Sequence, residues 1–320
     1  MERLKENKKR SLDIQKIIEE GGYTNQVNQL SIAIVDLNDE NSTIFGKNLD
    51  LFTYPASVYK IFIGAEVLRQ IEKGTHTLEE LVIVKAPNDV DKDARLFPGD
   101  SRPIIKAGDT VTTDYLLDLM LTRSDNTASN CLIDLVGRES ITENIIYKHG
   151  WQGSEVTRKF LNRTKEDKPY RFIETTKACV RHVAEFFYLI ETEQLISPFV
   201  SQKLKEYMLK WNRGGRKGFS IPEYVSYYRK GGLMETNLYK SLYIKNGLGV
   251  VRGLVSLIKT ILTKGWAFLR YMNDAGVVKG KHSHYVVVVF TLSKQFNPRR
   301  YFHMDKLAKA IYEYMEEVAK

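Results

Sequence analysis

Strand signals in this chain are confined to its two ends, and this limits the fold more than any other feature. Near the N-terminus, Leu30 to Leu37 (LSIAIVDL) is rich in β-branched residues, and Ser42 to Tyr54 reads as its hairpin partner. Near the C-terminus, Val225 to Gly232 alternates and then meets two glycines, Asn273 to Val278 is short, and His284 to Ser293 (HYVVVVFTLS) is the strongest strand pattern in the chain. The middle is helical in period: 57–73, 112–122, 126–136, 139–148, 175–192 and 199–211, with a polar loop at 153–174. Amphipathic helices are expected at 7–20 and 304–318. Strand backbone groups need partners, so the strands of both termini are expected to meet in one sheet. The order predicts an α+β sandwich in which 1–62 and 212–320 form a discontinuous sheet domain and 63–211 form an inserted all-α domain.

The 320 residues are 43% hydrophobic, enough for a real core. No run of 18 uncharged apolar residues occurs, so no transmembrane helix is expected. The basic N-terminus is followed by no apolar stretch and does not read as a secretory leader as written. Cys131 and Cys179 are too few for a disulfide scaffold, show no metal-ligand spacing, and are expected to be buried free thiols. The net charge of +9 suits anionic surroundings. No recognition helix, zinc finger or ribonucleoprotein motif accompanies it, so nucleic acid is not the expected partner.

Lys60 is the only cation in VYKIFIGAEV, Val58 to Val67. Burying an ammonium is costly, and Ser57 stands three residues earlier, near a helix start. Residues i and i+3 are neighbours on a helix, so the amine can reach the hydroxyl. A desolvated lysine has a depressed pKa and can serve as the base that a serine nucleophile needs. Ser124-Asp125-Asn126 lies between two helical runs, where a short turn projects side chains. Lys230-Gly231-Gly232 ends a strand, where a lysine can hold an anion and glycines admit a substrate backbone. Each pattern alone is weak: S-x-x-K recurs at Ser256 to Lys259, and K-x-G at Lys245 to Gly247. A capping serine, a capping turn and a snorkelling lysine would account for them separately.

Taken together and in this order, S-x-x-K, S-D-N and K-x-G resemble the class A β-lactamases and penicillin-binding serine hydrolases. The P-x-S-x-x-K setting in PASVYKIFIGAEVLRQIEKG, the pair NDAGVV and HYVVVVFTL, and Glu174-Thr175-Thr176 at the end of an Ω-loop extend the likeness over roughly residues 12 to 318. The resemblance implies an antiparallel five-stranded sheet flanked by helices. It implies Ser57 as acylated nucleophile, Lys60 as general base, Ser124 as proton relay and Lys230 as holder of the substrate carboxylate. Asn126 would bind the substrate amide, Asp125 would be structural, and the N–H groups of Ser57 and Leu233, with Gly232 beside them, would line the oxyanion hole. Neither metal nor cofactor is implied. The implied substrate is a β-lactam or peptidoglycan-like small molecule, the implied state a monomer, and the implied compartment periplasmic or extracellular; with no signal peptide in this sequence, either the chain stays in the cytoplasm or a leader was removed when the numbering was made.

Three departures stand out. Gly231 replaces the hydroxyl-bearing residue of K-[TS]-G. Aligning Leu161-Asn162 with the family's E-x-x-L-N puts Arg158 where the deacylating glutamate belongs; Glu166 is then the candidate Ω-loop acid, and Glu166 and Asp167 otherwise read as solvated charges. Finally, 236–273 is an insertion with six cations, Lys240, Lys245, Arg252, Lys259, Lys264 and Arg270, and no acid. An amphipathic helix near 254–263 would suit either an anionic membrane or wall surface or the body of the protein. The readings in play are a β-lactam hydrolase with impaired deacylation, a penicillin-binding D-alanyl peptidase or esterase, and a non-catalytic binding module of the same fold.

Overall fold

The computed structural model describes residues 4–93, 100–171, 173–210, 225–237, 268–295 and 302–320. Five strands, β1 Gln29–Asp36, β2 Ile44–Lys47, β5 Ser226–Asn237, β6 Phe268–Lys279 and β7 His284–Gln295, form one antiparallel sheet in the order β2-β1-β7-β6-β5. The two ends of the chain meet where β1 pairs with β7 from Gln29↔Leu292 to Asp36↔Tyr285. Alternation sends Ile32, Ile34, Val287 and Val289 to one face and Ala33, Val35, Val286 and Val288 to the other.

The first face is covered by α1 Lys8–Glu20 and α8 Met304–Val318, through Ile14, Ile18, Leu307, Ile311 and Met315. The second face carries the remaining helices: α2 Lys60–Glu72, α3 Thr113–Asp118, α4 Asn126–Val136, α5 Arg138–Ile141, α6 Val180–Glu191 and α7 Pro198–Lys210. A small ribbon of β3 Leu81–Ile83 and β4 Thr110–Thr112 lies between α2 and α3 in sequence. In α6, Val183, Phe186, Phe187 and Ile190 bury against this core, while Trp151 donates its indole N–H to Glu185 at 2.7 Å. Within α2, Glu66 is fully buried and satisfied: Arg69 donates to both of its oxygens at 2.6 Å, and Gln70 and Ser140 donate to Oε1.

Several boundaries differ from expectation for identifiable reasons. The glycines at 231–232 do not stop β5, which pairs with β6 through both of them (Gly231↔Asp274, Gly232↔Asn273) and continues to Asn237↔Phe268. Their role is close approach rather than termination. The helix expected from 175 starts at Val180, because Lys177 and Ala178 bridge to Glu155 and Thr53. The hairpin partner expected over 42–54 is a strand only at Ile44–Lys47. Arg270 pairs with Glu235 across the β5–β6 hairpin. Lys240, Lys245, Arg252, Lys259, Lys264 and the helix expected near 254–263 lie outside the described residues. Cys131 and Cys179 are buried free thiols whose pKa burial raises to about 12. Among the described residues, no helix is long and apolar enough to cross a membrane.

Candidate active site

Ser57 lies in a 3-10 turn, Ala56–Tyr59, that runs directly into α2. Ala56 takes a positive φ of 48°, a conformation that costs a side-chain-bearing residue on the order of 1–2 kcal/mol. The turn is tied down on both sides. Val58 N–H donates to Pro55 O at 3.2 Å, Thr53 and Ala178 exchange backbone hydrogen bonds at 3.0 Å, and Asn273 Nδ2 on β6 donates to Tyr54 O at 3.0 Å. The other end of the Asn273 amide accepts from Thr291 N–H at 2.9 Å, so the segment before Ser57 is fixed to the sheet.

The second element is the S-D-N turn. The chain leaves α3 through a wider π-type turn, Leu119–Arg123, and Ser124 follows in the left-handed region (φ 59°, ψ 35°) before α4 begins. Such turns recur at functional sites. Asp125 caps α4 by accepting from Ala128 N–H at 2.8 Å, and Arg123 Nη2 donates to its other oxygen at 2.9 Å. This agrees with a structural part for Asp125. The left-handed residue is what swings the Ser124 hydroxyl back toward Lys60.

Lys60 is fully buried. Its Nζ donates to Ser124 O at 2.6 Å and to Asn126 Oδ1 at 2.8 Å, with longer contacts to Ser124 Oγ at 3.2 Å and Asp125 O at 3.5 Å. Burial pulls the Lys60 pKa down to about 7, against the opposing pull of the Asp91 and Asp125 carboxylates. Lys230, also buried, reaches in from β5 and donates to Ser124 Oγ at 2.9 Å and to Gly231 O at 3.0 Å. The Ser124 hydroxyl thus bridges two amines that are 170 residues apart in sequence. The Lys60 backbone N–H donates to Ser57 O along the turn, but its amine makes no hydrogen bond to the Ser57 hydroxyl and is drawn across to the S-D-N turn instead. The i, i+3 reach expected from sequence is not closed in the resting arrangement, as is common before a substrate tightens such hydrogen bonds.

Gly232 brings the β5 edge against the Ser57 turn. A Cβ at this position would lie 2.8 Å from Pro55 O and 2.8 Å from Ser57 N, closer than real contacts allow. Only a glycine lets the strand sit this close to the Ser57 N–H. The next residue, Leu233, turns its side chain outward, 60% exposed. Gly232→Val is expected to push the strand off the turn. We expect at least a hundredfold loss of Ser57 acylation, the scale of an ångström-sized misplacement, and a stability loss of about 1–3 kcal/mol, read by labelling kinetics and urea denaturation.

The Ω-loop supplies a feature that residue spacing missed. The Phe160 ring lies over Lys60, with Nζ 4.2 Å from its centroid, and stacks on Tyr59 at 4.9 Å with planes 2° apart. Asn130 Oδ1 accepts from Phe160 N–H at 2.7 Å, and Tyr59 OH donates to Arg158 O at 3.3 Å, so both ends of the 158–160 segment are pinned. Glu166 is buried rather than solvated. Its carboxylate sits between Arg138 at 3.2 Å and Arg158 at 3.6 Å and accepts from Lys159 N–H at 3.1 Å. None of these groups belongs to the Lys60 cluster. Asp167, by contrast, is exposed and pairs with Arg138 at 2.9 Å.

A turn-borne serine, a buried lysine of depressed pKa, a bridging second serine and a strand lysine, placed around one sheet edge, define a serine hydrolase of the S-x-x-K type. The chain belongs to the beta-lactamase enzyme family, whose family model matches residues 9–315. No curated protein sequence matches it. Among solved structures, TLA-1 extended spectrum beta-lactamase superposes with a TM-score of 0.68 at 14% identity, covering 95% of this chain and 99% of that one. The beta-lactamase from Sphaerobacter thermophilus DSM 20745 gives 0.63 at 18% identity, with 92% and 96% covered. A mutant of PBP-A, solved as an acyl-enzyme complex with penicillin G, gives 0.68 at 15% identity, with 99% and 100% covered.

Proposed function

We propose that this chain opens a β-lactam, or cleaves a peptidoglycan-like amide, by acylating Ser57, and that the acyl-enzyme then persists. The observation that carries the reading is the single hydrogen-bonded cluster of Lys60, Ser124, Asn126 and Lys230 beside the Ser57 turn. In its neutral form Lys60 takes the Ser57 proton as Oγ attacks the carbonyl carbon. The Ser57 N–H, with that of Leu233, stabilises the oxyanion. As the C–N bond breaks, the proton passes from Lys60 through Ser124 Oγ to the leaving nitrogen, and Lys230 makes that hydroxyl a better donor by its charge. Asn126, whose Oδ1 is held by Lys60, offers its amide N–H to the substrate side chain.

Persistence follows from what faces Lys60 across the loop. An aromatic ring faces the amine there, and among the described Ω-loop residues no carboxylate contacts Lys60. Glu166, engaged by two guanidinium groups, holds the loop together rather than activating water. The PBP-A likeness, caught as a penicillin acyl-enzyme in a mutant, agrees with this reading.

The test pairs a fluorescent penicillin with a chromogenic cephalosporin. The expected outcome is stoichiometric labelling with turnover slower than about 1 per minute, far below the usual 1–1,000 per second of efficient enzymes. Fast, sustained cephalosporin hydrolysis would overturn slow deacylation. The absence of both labelling and hydrolysis would favour an esterase or a binding module.

A further inference from the structure

Asp91 lies 35 residues before Asn126 in sequence but touches it twice. Asp91 Oδ2 accepts from Asn126 N–H at 2.6 Å, and Oδ1 accepts from Asn126 Nδ2 at 3.1 Å. Its own N–H donates to Thr127 Oγ1 at 3.1 Å, fixing the residue against the first turn of α4. The Asn126 carboxamide is therefore bracketed, with Lys60 on its oxygen and Asp91 on its nitrogen. Asp91 remains half-buried.

The first N–H of α4 favours a carboxylate at Asp91, and that charge stands beside the Lys60 amine and the Asn126 carboxamide. The charge also works against the chemistry. Asp91 favours the cationic form of Lys60, the form that cannot act as base. A site that keeps this charge functions best with a substrate that neutralises it. In the arrangement proposed above, the second Asn126 amide hydrogen meets the acyl side-chain carbonyl. A nitrogen on the carbon next to that carbonyl would then lie on the side of Asn126 that Asp91 occupies.

We propose that Asp91 is a specificity-determining residue that selects acyl donors bearing an ammonium group next to the side-chain carbonyl, and that this ammonium, by offsetting the carboxylate, promotes acylation as well as binding. The inference rests on the acyl-enzyme reading. It names the substrate class as zwitterionic: an anionic group toward Lys230, a cationic one toward Asp91.

Ampicillin and benzylpenicillin differ by one such amine and make the natural probes. With the wild-type chain at a pH where the amine is charged, ampicillin is expected to acylate Ser57 about two- to fivefold faster, the range of a partly exposed ion pair. In Asp91→Asn the ratio should fall to about one, whatever happens to the absolute rates. The rise of benzylpenicillin acylation with pH should also move to lower pH in that variant, because the charge that held Lys60 protonated is gone; a purely structural role would not shift it. Equal wild-type rates, or a ratio that survives Asp91→Asn, overturn the proposal. If neither penicillin labels Ser57, the acyl-enzyme reading fails by itself, and calorimetric affinities of the two compounds for Ser57→Ala take over. Tighter binding of ampicillin that disappears in the Ser57→Ala/Asp91→Asn double variant would then support Asp91 as the ammonium site, and equal or absent binding would overturn it.

Discussion

Ser57→Ala is expected to abolish covalent labelling by penicillin, a loss of at least about 10⁴-fold in acylation rate. The hydroxyl is the only atom removed. Ser57 is partly open rather than buried, and its turn is held by backbone bonds of Val58 and Thr53 and by the Asn273 side-chain amide. The melting temperature should therefore stay within about 2 °C of the parent. Intact-mass measurement after incubation with penicillin reads the first expectation, and calorimetry the second. Undiminished labelling of the alanine variant would place the nucleophile elsewhere.

Lys60→Met carries the second-largest effect, a fall in acylation rate of about 10³–10⁴-fold, the range for removing a general base that also orients its neighbours. The pH dependence gives the stronger test. The Lys60 pKa is lowered to about 7 by burial, so the neutral, basic form grows as pH rises through 7. Wild-type acylation should climb with a midpoint near pH 7 and level off above it, rather than climbing toward the range of a solvated lysine. Lys60→Met should lose this limb. Lys60→Arg should not restore it, because a guanidinium stays protonated. A profile flat from pH 5 to 9 in the wild type would remove Lys60 from the role of base.

Much of this site was legible before any geometry. Ser57, Lys60, Ser124 and Lys230 were picked out because residue type and spacing encode proton chemistry, and the fold brings Lys60, Ser124 and Lys230 into hydrogen-bonding contact. The repeat copy at Lys245 cannot be separated by spacing alone and lies outside the described residues; Lys230 meets Ser124 Oγ. The strand pattern at both ends foretold the shared sheet, since β-branched alternation reports burial directly. What stayed hidden depended on the path of loops. Aligning Leu161-Asn162 drew attention to Arg158, yet the side chain that reaches Lys60 belongs to Phe160, and the hint lay in Tyr59, the aromatic it stacks on. Asp91 and Asn273 act through contacts 35 and 219 residues away, and no local period announces such pairs. Glu166 reads as a solvated charge in sequence because nothing there shows that Arg138 folds back onto it and buries it.

In the proposed mechanism the Ser57 hydroxyl, as the Lys60–Ser124–Lys230 cluster takes its proton, attacks the substrate carbonyl, and the resulting acyl-enzyme persists. The most direct test is time-resolved mass spectrometry of the wild-type chain mixed with benzylpenicillin, followed by peptide mapping. We expect a single adduct carrying the full mass of the penicillin, located on the peptide containing Ser57 and persisting for at least minutes after excess drug is removed. An adduct on any other residue, or one that forms and clears within seconds, would contradict it.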